Sequence, residues 1–296
     1  FTQVGLTPQS LMLSGNPNAT LTLGPNSTFN APLTFTSEEL VFNSSTFLQS
    51  CTFTQTGVNA TGSRGGNSFQ EVTFNITGSG DFQLGNNAAD PGDVFNGNAT
   101  FVVTGGGRLR IGTYNAGNLF AGNLTLTNTS TTDVASRIQI SRFSGASTTI
   151  QGTTTINNFG NASDIHISLE AGTLTTFNGN VIVNNATTAT GDFEFGRLGD
   201  VILNGNLTLN NTVNDHIQLS AGTGSVTFGN GTITIGGTGF TNGQLTFRNF
   251  TQTGTSAIVL APTGSTRINV GPSAIFGGNV DMRSSRLFLN GATITG

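Results

Sequence analysis

The sequence predicts an all-β protein, a single-stranded right-handed parallel β-helix (β-solenoid) with about 10 to 11 turns, or rungs, of roughly 25 residues. Two observations predict it. A short unit that joins a large apolar residue, an Asn/Gly turn and an alternating strand recurs along almost the whole chain. No stretch combines the 3.6-residue apolar period of a helix with good helix formers. Right-handed coiling is expected because parallel crossovers strongly prefer that hand.

The repeat is clearest between residues 177 and 228. The unit at residues 177–183 reads Phe-Asn-Gly-Asn-Val-Ile-Val, and two more short strands are predicted at residues 192–195 and 201–203. A copy of the unit then starts at Leu203, so one rung holds three short strands and three turns. Strands this short leave too few residues for a hairpin meander. We therefore expect each to pair in parallel with its equivalent one rung away, at a spacing of about 4.8 Å.

The first strand of each rung has an apolar-x-apolar pattern, which places its outer residues inward and its middle residue toward solvent. Ile182 interrupts a middle column that is otherwise rich in threonine, and this makes Ile182 a candidate lateral contact. Near the C-terminus the pattern assigns Ala257-Ile258-Val259 and Val280-Asp281-Met282 to first strands. The outward threonine column consists of Thr34, Thr52, Thr73, Thr100, Thr125, Thr155, Thr208 and Thr234.

The residue before each corner turn is expected to point inward, so that equivalent side chains stack from rung to rung. Asparagines in these turns, such as Asn98, Asn123, Asn180 and Asn206, are expected to form a side-chain amide ladder. Cys51, the only cysteine, aligns with an inward position and is expected to be a buried thiol. The core ladder includes Phe95, Phe120, Phe177, Leu203, Phe228 and Phe276.

The domain organisation follows from where the repeat starts. Residues 1–28 contain three prolines and fit the repeat poorly, so they are predicted to be an irregular segment: a partial rung, a cap or an inter-subunit arm. Residues 29–296 are predicted to form the β-helix. Residues 286–291 start another copy of the unit, so we expect this end to meet another chain or the native protein to continue. The start without Met indicates a removed signal peptide or an excised part of a longer chain.

Composition excludes several classes of partner. Only 8% of residues are charged, the net charge is −4, and all ten basic residues are scattered arginines. Nucleic-acid binding requires a basic footprint that is missing here, so no nucleic-acid partner is expected. No run of about 18 apolar residues occurs, so no membrane span is expected. No pattern of ligand residues indicates a cofactor.

The two histidines lie near aspartates in the sequence. His166 follows Asp164, and His216 follows Asp215, both in second strands. A metal or acid–base site would need a third ligand close by, and the spacing indicates none. Polar surface histidines are therefore expected.

The densest acidic group consists of Asp192, Glu194 and Asp200. Glu194 lies between two phenylalanines and should point outward, where a carboxylate pair could perform general acid–base chemistry. Solvated surface charge is the expectation. Asp90 and Asp93 lack the nonapeptide spacing of calcium-binding β-rolls. The sequence thus predicts no catalytic, cofactor-binding or metal-binding residue.

The repeated Phe-Asn-Gly-Asn-apolar-Thr-apolar unit, without Lys or Trp, resembles the Asn/Gly/Thr-rich repeats of large secreted bacterial surface proteins. Those repeats form right-handed parallel β-helices in adhesin and autotransporter-type passenger regions. The resemblance covers about residues 29–296 and is one of pattern. It implies export, an extracellular or cell-surface location, and a role in adhesion or fibre building. It carries over no catalytic residues.

We therefore expect a non-enzymatic structural protein, a β-helix subunit of a filament, fibre or adhesin stalk that self-associates end to end into a homopolymer. Two alternatives stay open. One is a carbohydrate-active β-helix, a polysaccharide lyase or hydrolase. The other is a module that binds cell-surface glycan or ice through the outward threonine face.

Overall fold

The computed structural model describes residues 2–13, 19–132, 137–160, 164–186 and 191–296. These residues form strands, turns and bends, with no helix among them. The strands stack in parallel into a β-solenoid of about ten turns that are roughly 25 residues apart, which confirms the predicted fold class. Each rung holds three strands, and equivalent strands of successive rungs form three ladders. The direction of coiling stays a prediction.

Ladder one is formed by the first strand of each rung. Its strands are Gln9–Met12, Leu33–Ser37, the second halves of Thr46–Gln55 and Ser68–Ile76, Ala99–Val103, Leu124–Asn128, Thr154–Asn158, Val181–Asn185, Leu207–Asn211 and Ile233–Phe240. Two further strands, Ile258–Leu260 and Val280–Met282, pair with each other beside Ile233–Phe240.

Ladder two is a ten-stranded sheet formed by the second strands. Its strands are Thr61–Gly62, Phe82–Gln83, Leu109–Ile111, Ile138–Ile140, Ile165–Ile167, Phe193–Phe195, His216–Leu219, Asn242–Phe247, Ser265–Val270 and Arg286–Leu289. Before it, Thr20–Leu23 and Glu39–Phe42 form a separate parallel pair.

Ladder three is formed by the third strands, which precede the corner turn. Its strands are Thr28–Phe29, the first halves of Thr46–Gln55 and Ser68–Ile76, Val94–Phe95, Asn118–Phe120, Ser147–Ile150, Leu174–Phe177, Asp200–Leu203, Val226–Phe228, Phe250–Gln252, Ile275–Phe276 and Thr293–Ile294. The strands Thr46–Gln55 and Ser68–Ile76 continue through the corner at which other rungs turn. Each of them therefore belongs to both ladder three and ladder one.

The predicted core-ladder residues lie in ladder three, and all of them are buried. Four successive rings, Phe47, Phe69, Phe95 and Phe120, stack nearly parallel with centroids 5.0, 5.0 and 4.2 Å apart. These distances match the rung spacing, so the same register satisfies the backbone hydrogen bonds and the ring contacts. Cys51 is also buried as predicted, and burial raises the pKa of its thiol to about 12.

One rung departs from the apolar ladder. The register pairs Phe228 with Gln252, a buried polar residue, and Phe276 comes one rung later. The Gln252 Nε2 donates to the Ser256 carbonyl at 2.6 Å, and its Oε1 accepts from the Gly278 N–H at 3.3 Å. The Gln252 side chain thus takes the place of an apolar side chain in the ladder, and hydrogen bonds to backbone groups of two rungs hold it there.

The threonine column lies in register on the outer side of ladder one. Successive members pair from Thr34 to Thr155, and Ile182 then pairs with Thr155 on one side and Thr208 on the other. Ile182 is half-buried.

The assignment of Ala257-Ile258-Val259 to a first strand was wrong by one residue. Leu260 fills the core with Ile258, and Val259 faces solvent, because the larger leucine supplies the inward contact.

The ladders extend into the segment predicted to be irregular. Gln9–Met12 pairs in parallel with Leu33–Ser37, and Thr20–Leu23 pairs with Glu39–Phe42. A single bridge joins Thr2 to Thr28. The ladders therefore begin before residue 29, whereas the role of this segment and the boundary at residue 29 stay predictions.

The asparagines make two different kinds of ladder. At the corner turns, the Asn98 Oδ1 accepts from the backbone N–H of Asn123 at 3.1 Å, and the Asn180 Oδ1 from that of Asn206 at 3.0 Å. For these predicted asparagines the amide-to-amide contact is therefore replaced by side chain to backbone bonds. Two residues earlier in the same turns, the Asn204 Nδ2 does donate to the Asn178 Oδ1 at 2.8 Å. A true amide ladder lies at the buried end of ladder one. Its four members are Asn128, Asn158, Asn185 and Asn211, linked at 2.8, 3.0 and 2.8 Å.

Candidate functional site

The outer side of ladder two carries a column of polar side chains. Arg110, Gln139, His166, Glu194 and Gln218 occupy equivalent positions on five successive rungs. Their strand neighbours, such as the isoleucines on both sides of His166, point into the core. The first four side chains of the column are themselves buried. Their burial concentrates charge in a place where solvent screens it little.

Two rungs of this column form a carboxylate–histidine cluster, made of Asp164, His166, Asp192, Glu194 and Arg197. The His166 Nε2 lies 2.9 Å from the Glu194 Oε2, 3.2 Å from the Arg197 Nη1 and 3.8 Å from the Asp164 Oδ2. The Arg197 Nε lies 3.5 Å from the same Glu194 oxygen. The Arg197 guanidinium and the Glu194 carboxylate therefore both lie beside the His166 Nε2. Whether this nitrogen donates or accepts a hydrogen bond depends on the protonation of the imidazole.

Asp192 joins the cluster through neighbouring rungs. Its backbone N–H donates to the Asp164 Oδ1 at 3.0 Å, and its Oδ2 accepts from the Gln218 Nε2 at 2.8 Å. Burial raises the pKa of the Asp192 carboxyl, and the charges of Glu194 and Asp164 act in the same direction, whereas His216 lowers it. A carboxyl of raised pKa beside another carboxylate is an arrangement suited to proton transfer.

The histidine expectations were half right. His166 was expected at the surface and is fully buried, because Arg197 and the neighbouring rungs cover it. His216 is exposed, but its Nδ1 lies 3.4 Å from the Asp192 Oδ1 one rung earlier. Asp215 instead accepts the His216 backbone N–H at 2.8 Å. Burial raises the pKa of Asp215 to about 6.

The acidic group predicted from the sequence is only partly kept in the structure, because Asp200 lies apart from Asp192 and Glu194. Glu194 faces away from the core as expected, yet only 7% of it is exposed. Asp200 lies on ladder three, where its Oδ1 accepts from the Ser225 N–H at 3.1 Å and from its hydroxyl at 2.7 Å. Aligning the second strands would have placed His166 beside Glu194. Gly196, with φ 64°, marks the turn that follows, but a turn signal does not indicate that the Arg197 side chain covers them.

The two ends of the coil are the other candidate surfaces. At the C-terminal end, an apolar hollow of about 300 Å³ is lined by residues that include Val270, Phe276, Leu287 and Leu289. At the N-terminal end, a hollow of about 560 Å³ is lined by Leu11, Phe29, Leu33 and Phe35 among others. Leu289 and Leu11 are 64% and 39% exposed, although both lie in register with core residues. Within the described residues, apolar side chains of the core ladders are therefore exposed at each end of the coil.

The described residues hold no group of three His, Cys, Asp or Glu side chains arranged for a metal ion. A helix long and apolar enough to cross a membrane is likewise missing from the described part of the chain. No family model, no curated protein and no solved structure matches the chain. Its function must therefore be inferred from the residues and their geometry.

Proposed function

We propose that the chain is a non-enzymatic structural protein, a β-solenoid subunit of a filament, fibre or adhesin stalk that associates end to end with further copies. The observation that supports it is the exposed apolar surface at both ends of the described coil, where the outermost described strands pair on one side only. An extracellular or cell-surface location is part of the proposal, and it rests on the resemblance of the repeat to secreted surface proteins.

The two ends are suited to each other. Within the described residues, the C-terminal strands Val280–Met282, Arg286–Leu289 and Thr293–Ile294 each pair on one side only. At the other end, Gln9–Met12 and Thr20–Leu23 also pair on one side only. Because all strands are parallel, a second copy translated along the axis would present like ladders to like ladders.

Apolar burial would supply most of the driving force. Leu287 and Leu289 point toward the axis, in register with the core residues Ile268 and Val270. Covering each leucine would contribute about 1 to 2 kcal/mol. The backbone edges would also gain hydrogen bonds, as in β-strand addition.

Electron microscopy and sedimentation velocity over a concentration series test this proposal. Wild-type chains should form rods of several subunits, and Leu289→Asp should prevent their growth. Val259→Asp is the matched control, because Val259 is a 47% exposed aliphatic residue on the side of the coil. Monodisperse single-chain rods at high concentration, or equal effects of both variants, would contradict the proposal.

A mixing experiment tests the polarity of the contact. Leu11→Asp blocks the N-terminal end, where Leu11 lines the hollow in register with Phe35. Leu289→Asp blocks the C-terminal end, so each variant alone should stay monomeric. In a mixture, the intact C-terminal end of the first variant can join the intact N-terminal end of the second. The resulting dimer has blocked outer ends and should not grow. Longer assemblies in the mixture would show that the contact is not head to tail.

A second candidate function is a carbohydrate-active β-helix, supported by the carboxylate–histidine cluster. Asp192 immediately precedes the strand Phe193–Phe195, which carries Glu194. Burial raises the pKa of Asp192, as an acid–base residue requires. A glycan degradation screen tests it. Asp192→Asn and Glu194→Gln should abolish turnover, whereas Asp200→Asn on ladder three should not. No turnover of any polymer by the wild-type chain would remove this candidate.

A further inference from the structure

A polar hollow of about 680 Å³ lies on the outer side of ladder two, toward the C-terminal end. The register places His216, Gln244, Arg267 and Arg286 at equivalent positions on four successive rungs of its wall. Adjacent rungs are about 4.8 Å apart. The hollow thus presents a column of polar groups that runs along the axis of the coil.

Two side chains of this column are cations without a counter-ion. In the described part of the chain, neither Arg267 nor Arg286 forms an ion pair with a carboxylate. The two are direct partners in the parallel register, an arrangement that is unfavourable for like charges. His216 differs, because its Nδ1 lies 3.4 Å from Asp192. An anionic group between the two guanidinium groups would offset their repulsion and accept charge-assisted hydrogen bonds from both.

The rest of the lining consists of neutral hydrogen-bonding groups. Asn214, Asn242, Ser265 and Ser285 contribute amides and hydroxyls, which suit a ligand rich in hydroxyl groups. Beside the hollow, the Arg267 guanidinium lies 5.4 Å from the ring centre of Phe288, which is 52% exposed. An exposed ring offers an apolar surface on which the flat side of a sugar can pack.

We propose that this hollow binds an acidic polysaccharide, a linear glycan that carries carboxylate or sulfate groups and lies along the column. Two arginines at the hollow, in a chain of net charge −4, are too few for the electrostatic footprint of a nucleic acid. The polar lining does not suit an apolar ligand. Binding at this site would involve no catalysis. It would also not depend on end-to-end assembly, because the hollow opens on the lateral surface of the coil and not at its end.

Isothermal titration calorimetry on the full chain tests the proposal. The probes are an oligogalacturonate for carboxylate, a heparin oligosaccharide for sulfate, a dextran oligosaccharide as the uncharged glycan and oligo-dT as an unrelated polyanion. The Leu11→Asp chain is used, so that assembly does not add multivalent binding. At least one acidic oligosaccharide should bind, with an affinity that falls as salt rises, and dextran should not.

Three arginine variants locate the site. Arg267→Gln and Arg286→Gln should each weaken binding of the acidic oligosaccharide by about fivefold or more. Arg248→Gln removes the same charge outside the hollow, where the guanidinium donates to the Ala221 carbonyl at 3.1 Å, and should change binding by less than about twofold. Thermal melting by circular dichroism checks that each variant is folded.

Three results would overturn the proposal: no acidic oligosaccharide binds at millimolar concentration, Arg248→Gln weakens binding as much as the hollow variants, or oligo-dT binds as tightly as the glycans. If sulfated and carboxylated probes differ, the tighter one identifies the anionic group of the glycan.

Discussion

At the scale of single residues, Asp93 shows how one buried side chain is held by the register of neighbouring rungs. Its Oδ1 accepts from the Asn67 backbone N–H at 3.0 Å and from the Asn67 Nδ2 at 2.8 Å. Its own N–H donates to the Asn118 Oδ1 at 3.1 Å. Its Oδ2 is buried and has no hydrogen-bond partner in the described residues. Burial accordingly raises the pKa of Asp93 from its ordinary 3.8 to about 7.

The raised pKa predicts how Asp93 affects stability. The folded chain holds the Asp93 proton more tightly than the unfolded chain does. Its contribution to stability is therefore full below about pH 4 and is lost as pH rises through about 7. Asp93→Asn removes this loss, so it should raise the free energy of unfolding at pH 8 by about 1 to 3 kcal/mol. The gain should shrink toward pH 4.5, as measured by urea unfolding at both values.

Asp90→Asn is the control for Asp93→Asn. Asp90 accepts from Arg64 at 2.7 and 3.0 Å, and these hydrogen bonds hold the pKa of its carboxyl below its usual range. Its substitution should slightly lower stability at pH 8, the opposite sign. A loss of stability at pH 8 with Asp93→Asn would show that the ionised carboxylate is well accommodated in the fold.

At the scale of strands, ladder one separates an inward from an outward position at adjacent residues. Val183 is fully buried, whereas Ile182 is half-buried between Thr155 and Thr208. Ile182→Asp should lower the free energy of unfolding by about 1 kcal/mol. Val183→Asp places an unpaired carboxylate in the core and should cost several kcal/mol, about 4 or more. Denaturant unfolding of the two variants measures the difference.

The same substitution examines the predicted lateral contact of Ile182. If filaments associate side by side through this residue, Ile182→Asp should reduce their bundling in micrographs and leave single filaments intact. Thr208→Asp, one rung away in the same column, is the matched control. If Ile182→Asp unfolds the chain as Val183→Asp does, the inward and outward assignment of ladder one is incorrect.

The strands also show which parts of the fold and of the candidate site could be predicted from the sequence. Alternation in each strand and the Asn/Gly turn are local signals, so the three-strand rung and the register of the Thr column could be read from them. Contacts between rungs in ladder two depend on turn lengths that vary along the chain. The burial of His166 was missed because it depends on where the turn after Glu194 places the Arg197 side chain. Gln252 was missed because a polar residue in an apolar column has no local signal.

At the scale of the whole molecule, the solenoid is a one-dimensional stack in which each rung contacts only its neighbours. A central strand such as Val181–Asn185 has a partner strand on each side, whereas Arg286–Leu289 has one within the described residues. Resistance to local opening should therefore be lowest at the two ends. Assembly would convert the end rungs into interior rungs and raise their resistance.

Hydrogen exchange with mass spectrometry tests this consequence of assembly. Peptides that cover Arg286–Leu289 should exchange about tenfold or more slowly in wild-type assemblies than in the Leu11→Asp chain. In that variant every N-terminal end is blocked, so no C-terminal edge can be covered, although the C-terminal rung itself is unchanged. Peptides that cover Val181–Asn185 should exchange equally in both, which controls for differences in overall stability. Equal exchange of the C-terminal peptides would mean that another surface forms the contact between copies.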